Sequence, residues 1–118
     1  QQDRNAKDSP IHEKAWSYLI KAAEAGDSQG QFMVACMLGR GDGVERDPGK
    51  AVTWLKKAAD QNNLSATRTL AMCFLLGEGT PASETDASYW FQRYHQITSE
   101  NRKQVRVDYG HTNEVREK

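Results

Sequence analysis

The chain predicts an all-α fold, a solenoid of helix–turn–helix units with two full repeats and a capping third helix. Three observations carry this. Ala15-Trp16-Ser17-Tyr18-Leu19-Ile20-Lys21-Ala22-Ala23 returns 36 residues later as Ala51-Val52-Thr53-Trp54-Leu55-Lys56-Lys57-Ala58-Ala59. Gly41-Asp42-Gly43 returns at the same distance as Gly77-Glu78-Gly79, and Ala87-Ser88-Tyr89-Trp90-Phe91 opens a third copy. No segment alternates with period 2 over a convincing length, so no sheet is expected. A period of this size marks stacked units, each covering the apolar face of its neighbour.

The first helix of each unit is amphipathic. Ala15, Tyr18, Leu19, Ala22 and Ala23 fall on one helical face, and Ala51, Trp54, Leu55, Ala58 and Ala59 repeat the stripe. Ser9-Pro10 and Asp47-Pro48 are opening signals, a capping side chain followed by proline at the first helical position. Gly26 and Asn62-Asn63 supply the stops. The predicted first helices are 10–25 and 48–61.

The second helices, 28–39 and 64–76, carry Gly30, Val34, Met37 and Leu38, matched by Ala66, Leu70, Cys73 and Phe74. Small residues at 30/66, 35/71, 22/58 and 23/59 allow close approach. Gly41 and Gly77 end these helices. A third helix is expected near 84–97, with Ala87, Trp90, Phe91, Tyr94 and His95 on its stripe. The bulky Tyr94-His95 pair stands where the other units have alanines, so the regular stack should end there. Leu19, Leu55, Leu70 and Phe74 are expected to be buried, as are Trp54, Trp90 and the aligned Tyr18.

The expected organisation is an N-terminal extension at 1–9, the repeat domain at 10–98 and a polar tail at 99–118. Val105, Val107 and Tyr109 in that tail could partly cover the last helix.

Composition limits function. The 118 residues carry 16 basic and 16 acidic side chains and a formal net charge of zero, which gives no electrostatic footprint for nucleic acid. No apolar run approaches the ~18 residues of a membrane span. The chain begins at Gln1, and signal-peptide removal or simple trimming would both explain it. Cys36 and Cys73 are not at equivalent repeat positions and are expected to be free thiols.

At this point the residues resemble the Sel-one-like repeat, a relative of the tetratricopeptide repeat. The resemblance lies in Lys-Ala-Ala-(acid)-x-(Gly/Asn), a small residue, Leu/Val-Ala, and Gly-(Asp/Glu)-Gly-(Val/Thr), over about residues 12–95. It implies a right-handed, tetratricopeptide-like α-solenoid that binds other proteins, in bacteria as adaptors, secreted factors or virulence-associated proteins. Some members resemble periplasmic immunity proteins that neutralise type VI secreted phospholipases. A periplasmic or secreted location and a toxin or effector partner follow from the resemblance. An adaptor or scaffold subunit is the alternative, and a small hydrolase a weaker one. The second unit departs from the pattern, with Asn62-Asn63 where Gly-Asp is usual.

Local motifs add little chemistry. Arg40-Gly41-Asp42 spells a short integrin-recognition tripeptide, but it sits on the repeat's glycine turn. Asn63-Leu64-Ser65 is a formal glycosylation acceptor. His12, His95 and His111 lack metal-ligand spacing, so no metal or cofactor is expected. No nucleophile elbow or paired acids suggest catalysis, and the chain is read as non-enzymatic. Trp16, Ile20 and Phe32 break the repeat, standing against Val52, Lys56 and Arg68. They are the candidate partner-binding residues, because packing does not ask for them and Trp is enriched at interface hot spots.

Overall fold

The computed structural model describes residues 10–117, with side chains described to residue 103. Five helices follow in order: α1 Pro10–Glu24, α2 Ser28–Arg40, α3 Pro48–Asp60, α4 Leu64–Leu76 and α5 Glu84–Glu117. No strand occurs among the described residues. Each helix packs chiefly on its chain neighbours, α1 on α2, α2 on α3, α3 on α4 and α4 on α5. This is the predicted solenoid of two helix pairs capped by a third first-type helix.

Local chemistry places the boundaries. Asp27 caps α2, its carboxylate accepting from Gly30 N at 2.7 Å, and Asn63 caps α4 through Ala66 N at 2.9 Å. Asp47 accepts from Lys50 N and precedes Pro48 at the start of α3. Ser83 caps α5 through Asp86 N. Ser9, the expected cap of α1, lies outside the described residues. Gly41 and Gly77 end α2 and α4 in the left-handed region, with φ of 78° and 73°. Their amides donate to Met37 and Cys73 carbonyls, which satisfies the last open turn.

The core is a continuous strip between the helices. Val34, Leu38, Leu55, Leu70, Ala71 and Phe74 are buried, with Leu55 2% and Leu70 0% exposed. Small residues set the spacing as expected. A Cβ added at Gly30 would meet Ala22 Cβ and Ala23 N at 3.1 Å, so α1 and α2 touch backbone to backbone there. Ala58, Ala59 and Ala66 are fully buried at the matching contact of the second unit.

Four expectations are corrected, the burial of Tyr18, Leu19 and Trp54 and the end of the last helix. Tyr18 is 76% exposed rather than core, and Leu19 is half-buried. Both lie on α1, which has α2 as its main neighbour, so no earlier unit covers its far face among the described residues. Trp54, at the place of Tyr18 in the next unit, is half-buried, and Trp90 is buried at 9% against α4 and its surroundings. The same repeat position is thus progressively covered as units accumulate before it. Finally, α5 does not stop near residue 97 but continues to Glu117 as one helix. That segment contains no proline, and its one glycine, Gly110, weakens a helix without stopping it, so no strong local signal ends the helix near residue 97. The side chains of Val105, Val107 and Tyr109 lie outside those described.

Candidate functional site

A groove of about 730 Å³ opens where α1, α3 and the loop between the two units meet. Trp16, Ile20 and Glu24 of α1 form one wall, and Lys50 and Trp54 of α3 form the other. Leu38 and the link residues Val44 to Asp47 complete it.

Local structure explains why these side chains converge. Residues 16, 20 and 24 are spaced at i, i+4 and i+8, hence on one helical face. Residues 50 and 54 do the same on α3. The loop is held in place by Asp47 N donating to Leu38 O at 2.8 Å and by Arg46 Nε donating to Gly39 O at 3.1 Å. The loop's Gly43 has φ 72°, and a Cβ there would come within 2.4 Å of the His12 carbonyl oxygen. The link is therefore pressed onto the first turn of α1, which sets its approach to the groove.

Trp16 and Ile20 are half-buried and pack against the core cluster, so their exposed edges are held rigidly. Trp54 is clamped too, with Lys57 Nζ 4.6 Å from its ring centroid. The floor is apolar through Leu38 and Val44. The charged margin is mixed. Asp47 is committed to the cap of α3, and Arg46 lies 3.7 Å from Glu78. Glu24, Glu45 and Lys50 are exposed at the margin.

Of the three candidate residues, the structure brings two together. Trp16 and Ile20 share the groove, whereas Phe32 lies on α2, half-buried against the core and away from it. Trp54 and Val44 are groove residues that sequence reasoning had assigned to packing or to a turn. The available signal was register: Trp54 lies four residues after Lys50 and faces the loop that follows Gly43. The mixed polarity and rigid aromatics suit recognition of a protein surface. Among the described residues no group of three or more His, Cys, Asp or Glu is placed to hold a metal. No helix among them is long and apolar enough to cross a membrane.

A stack of helix pairs joined by glycine turns, with a rigid aromatic groove and mixed margin charges, defines a repeat scaffold. The Sel1 repeat family model matches residues 12–27, 28–63 and 65–93, and the chain belongs to that family. Its solved likenesses agree. A Sel1 repeat protein from Oxalobacter formigenes is 30% identical with a TM-score of 0.69, over 72% of this chain and 35% of that one. The cysteine-rich protein B of Helicobacter pylori matches with a TM-score of 0.68 at 24% identity, over 76% of this chain and 68% of that one, and shows the fold alone. The protein c5321 of uropathogenic Escherichia coli, described as a protective antigen with an SLR fold, is 29% identical with a TM-score of 0.68. That match spans 82% of this chain and 22% of c5321. The chain therefore spans about a third of the Oxalobacter protein's length. Sel1 repeats are protein–protein interaction modules.

Proposed function

We propose that this chain acts by stoichiometric binding of another protein, without catalysis, through the groove between α1 and α3. The observation that carries the reading is the pairing of Trp16 and Ile20 with Trp54 across one groove, all three half-buried and anchored to the core. Rigid aromatics offer large contact area at low conformational cost, and buried aromatic anchors dominate interface energetics. The exposed Glu24, Glu45 and Lys50 supply a polar margin that can select one partner by charge.

In its finer form, the partner is a secreted bacterial effector such as a type VI phospholipase, and the chain is its periplasmic inhibitor. Family resemblance supports this version. The alternative is an adaptor subunit of an envelope or virulence assembly. Affinity capture from the native host, followed by calorimetry with the captured protein, tests the reading. A one-to-one complex with a single effector, whose activity falls on binding, is the expected result. Turnover of a substrate by the purified chain with no protein partner would overturn it.

A further inference from the structure

A second cavity, of about 260 Å³, lies between α2 and α4, floored by Ala51 and Leu55 of α3, and shares only Arg46 of the link with the groove. We propose that it is a binding pocket for a small molecule with an apolar body and one carboxylate. This stands independently of the protein-binding groove.

The first support is Gly39. It sits within α2, and a Cβ added there would meet nothing within 4 Å. No neighbour therefore requires glycine. A helical glycine costs up to about 1 kcal/mol relative to alanine. The equivalent position one repeat later is Leu75. Packing and backbone conformation leave this glycine unexplained, and its bare backbone forms part of the cavity's lining. The volume suits a small occupant. Engineered apolar cavities of about 150 Å³ bind benzene, and small-molecule pockets begin near ~300 Å³.

The second support is the charge at the mouth, where Arg40, Arg46 and Glu78 line the cavity. Arg46 is held, with its Nε on Gly39 O and its Nη2 3.7 Å from Glu78. Arg40 is the available cation. Its side chain is largely exposed, and its contact to Asp42 is at 4.0 Å, the outer limit of an ion pair. It is close enough to Cys36 to oppose the effect of burial on that thiol. An apolar chamber with a loosely paired guanidinium at its mouth matches an apolar carboxylate, since guanidinium binds carboxylate in a fork geometry.

Cys36 and Cys73 both line the cavity and are the chain's two cysteines, so their alkylation reports occupancy directly. Burial pushes both thiols up, which makes them poor nucleophiles at neutral pH and leaves the binding non-covalent. The test is the rate of iodoacetamide alkylation of the native chain with and without octanoate, with octanol as the neutral control. Saturating octanoate should slow alkylation of both thiols several-fold, and octanol much less. Gly39→Leu, with its fold checked by circular dichroism, should slow alkylation by itself and abolish further protection. Arg40→Gln, a surface change that leaves the fold intact, should weaken protection by octanoate towards the octanol level. Unchanged alkylation under octanoate would overturn the pocket, and equal protection by octanol would overturn the carboxylate assignment.

Discussion

The carbonyl oxygen of Pro48 occupies the place that a side chain on Gly79 would need, 2.3 Å from an ideal Cβ. Gly43 and the His12 carbonyl repeat the contact 36 residues earlier, at 2.4 Å. In both units the second glycine of the Gly-x-Gly turn lies on the first turn of its own unit's first helix. The glycine is demanded twice, by φ near +74° and by this contact. Gly79→Ala should therefore lose at least about 2 kcal/mol, one part left-handed strain and one part displaced backbone. Gly39→Ala, in an open helical site, should instead gain about 0.5–1 kcal/mol. Urea midpoints of the two variants should move in opposite directions, and a Gly79→Ala variant as stable as the parent would contradict the assigned contact.

Leu55 and Tyr18 lie on equivalent stripes of their helices, yet Leu55 is 2% exposed and Tyr18 76%. Leu55→Ala should cost on the order of 2–5 kcal/mol, as large-to-small core changes do. Tyr18→Ala should stay within about 0.5 kcal/mol, the range of surface changes. Thermal melts of the two variants distinguish the core-facing stripe from its uncovered end.

This contrast shows what the residues revealed before the structure. Period, caps and glycine stops are local, so four helices and the start of α5 were legible from spacing. Burial of Leu55, Leu70 and Phe74 followed, because helices flank them on both sides. Tyr18 was misread because burial depends on the neighbouring unit, and a repeat pattern does not say which unit has one. The extent of α5 was missed because a polar segment carries no periodic signal, and the absence of proline alone does not announce a helix. The groove was half legible. Trp16 and Ile20 stood out as breaks in the repeat, but Phe32 broke it too and faces elsewhere. Trp54 looked like framework and proved to line the groove, since the loop from Val44 to Asp47 decides which wall residues meet.

Asn63 illustrates a departure with a structural use. It caps α4 as Asp27 caps α2, and its amide also donates to Ser28 Oγ at 3.3 Å and Gln29 Oε1 at 3.2 Å in the preceding unit. A carboxylate cannot donate these bonds. Asn63→Asp should keep the cap and lose about 1 kcal/mol of inter-unit stabilisation, the usual worth of such hydrogen bonds. Asn63→Ala, losing the cap as well, should lose more. Chemical denaturation of the pair checks the order. The same bonds use the nitrogen that a glycan at Asn63-Leu64-Ser65 would need, so attachment there should lower stability.

The raised thiols give a pH dependence with a definite sign. Burial favours the neutral form of Cys36 and Cys73 and lifts both above the ordinary value of 9.0. Below that value both states hold the proton, and no linkage arises. As pH rises past it, the unfolded chain releases its thiol protons before the folded one, so stability falls. Other groups also titrate at alkaline pH, so the comparison is with the double variant Cys36→Ser, Cys73→Ser. Denaturation midpoints at about pH 8 and about pH 10 should drop further in the parent than in the double variant. Equal drops would mean that the thiols are not desolvated.

The last prediction separates the groove from the rest of the surface. Trp16 and Ile20 line it, and Phe32 does not, although all three break the repeat and all three contact the core cluster. Core contact means that each alanine variant loses some stability, so stability alone cannot identify a binding role. Binding to the captured partner can. If the groove is the interface, Trp16→Ala should weaken affinity by about 2 kcal/mol or more, the mark of an aromatic anchor. Ile20→Ala should weaken it less, and Phe32→Ala should leave it within about 0.5 kcal/mol at a temperature where every variant is folded. Trp54→Ala adds a check from the opposite wall. It should couple to Trp16→Ala non-additively, because both indoles would contact the same inserted side chain. Calorimetric titration of the single and double variants reads both effects. Full affinity in Trp16→Ala together with loss in Phe32→Ala would move the interface from the groove to the outer face of α2.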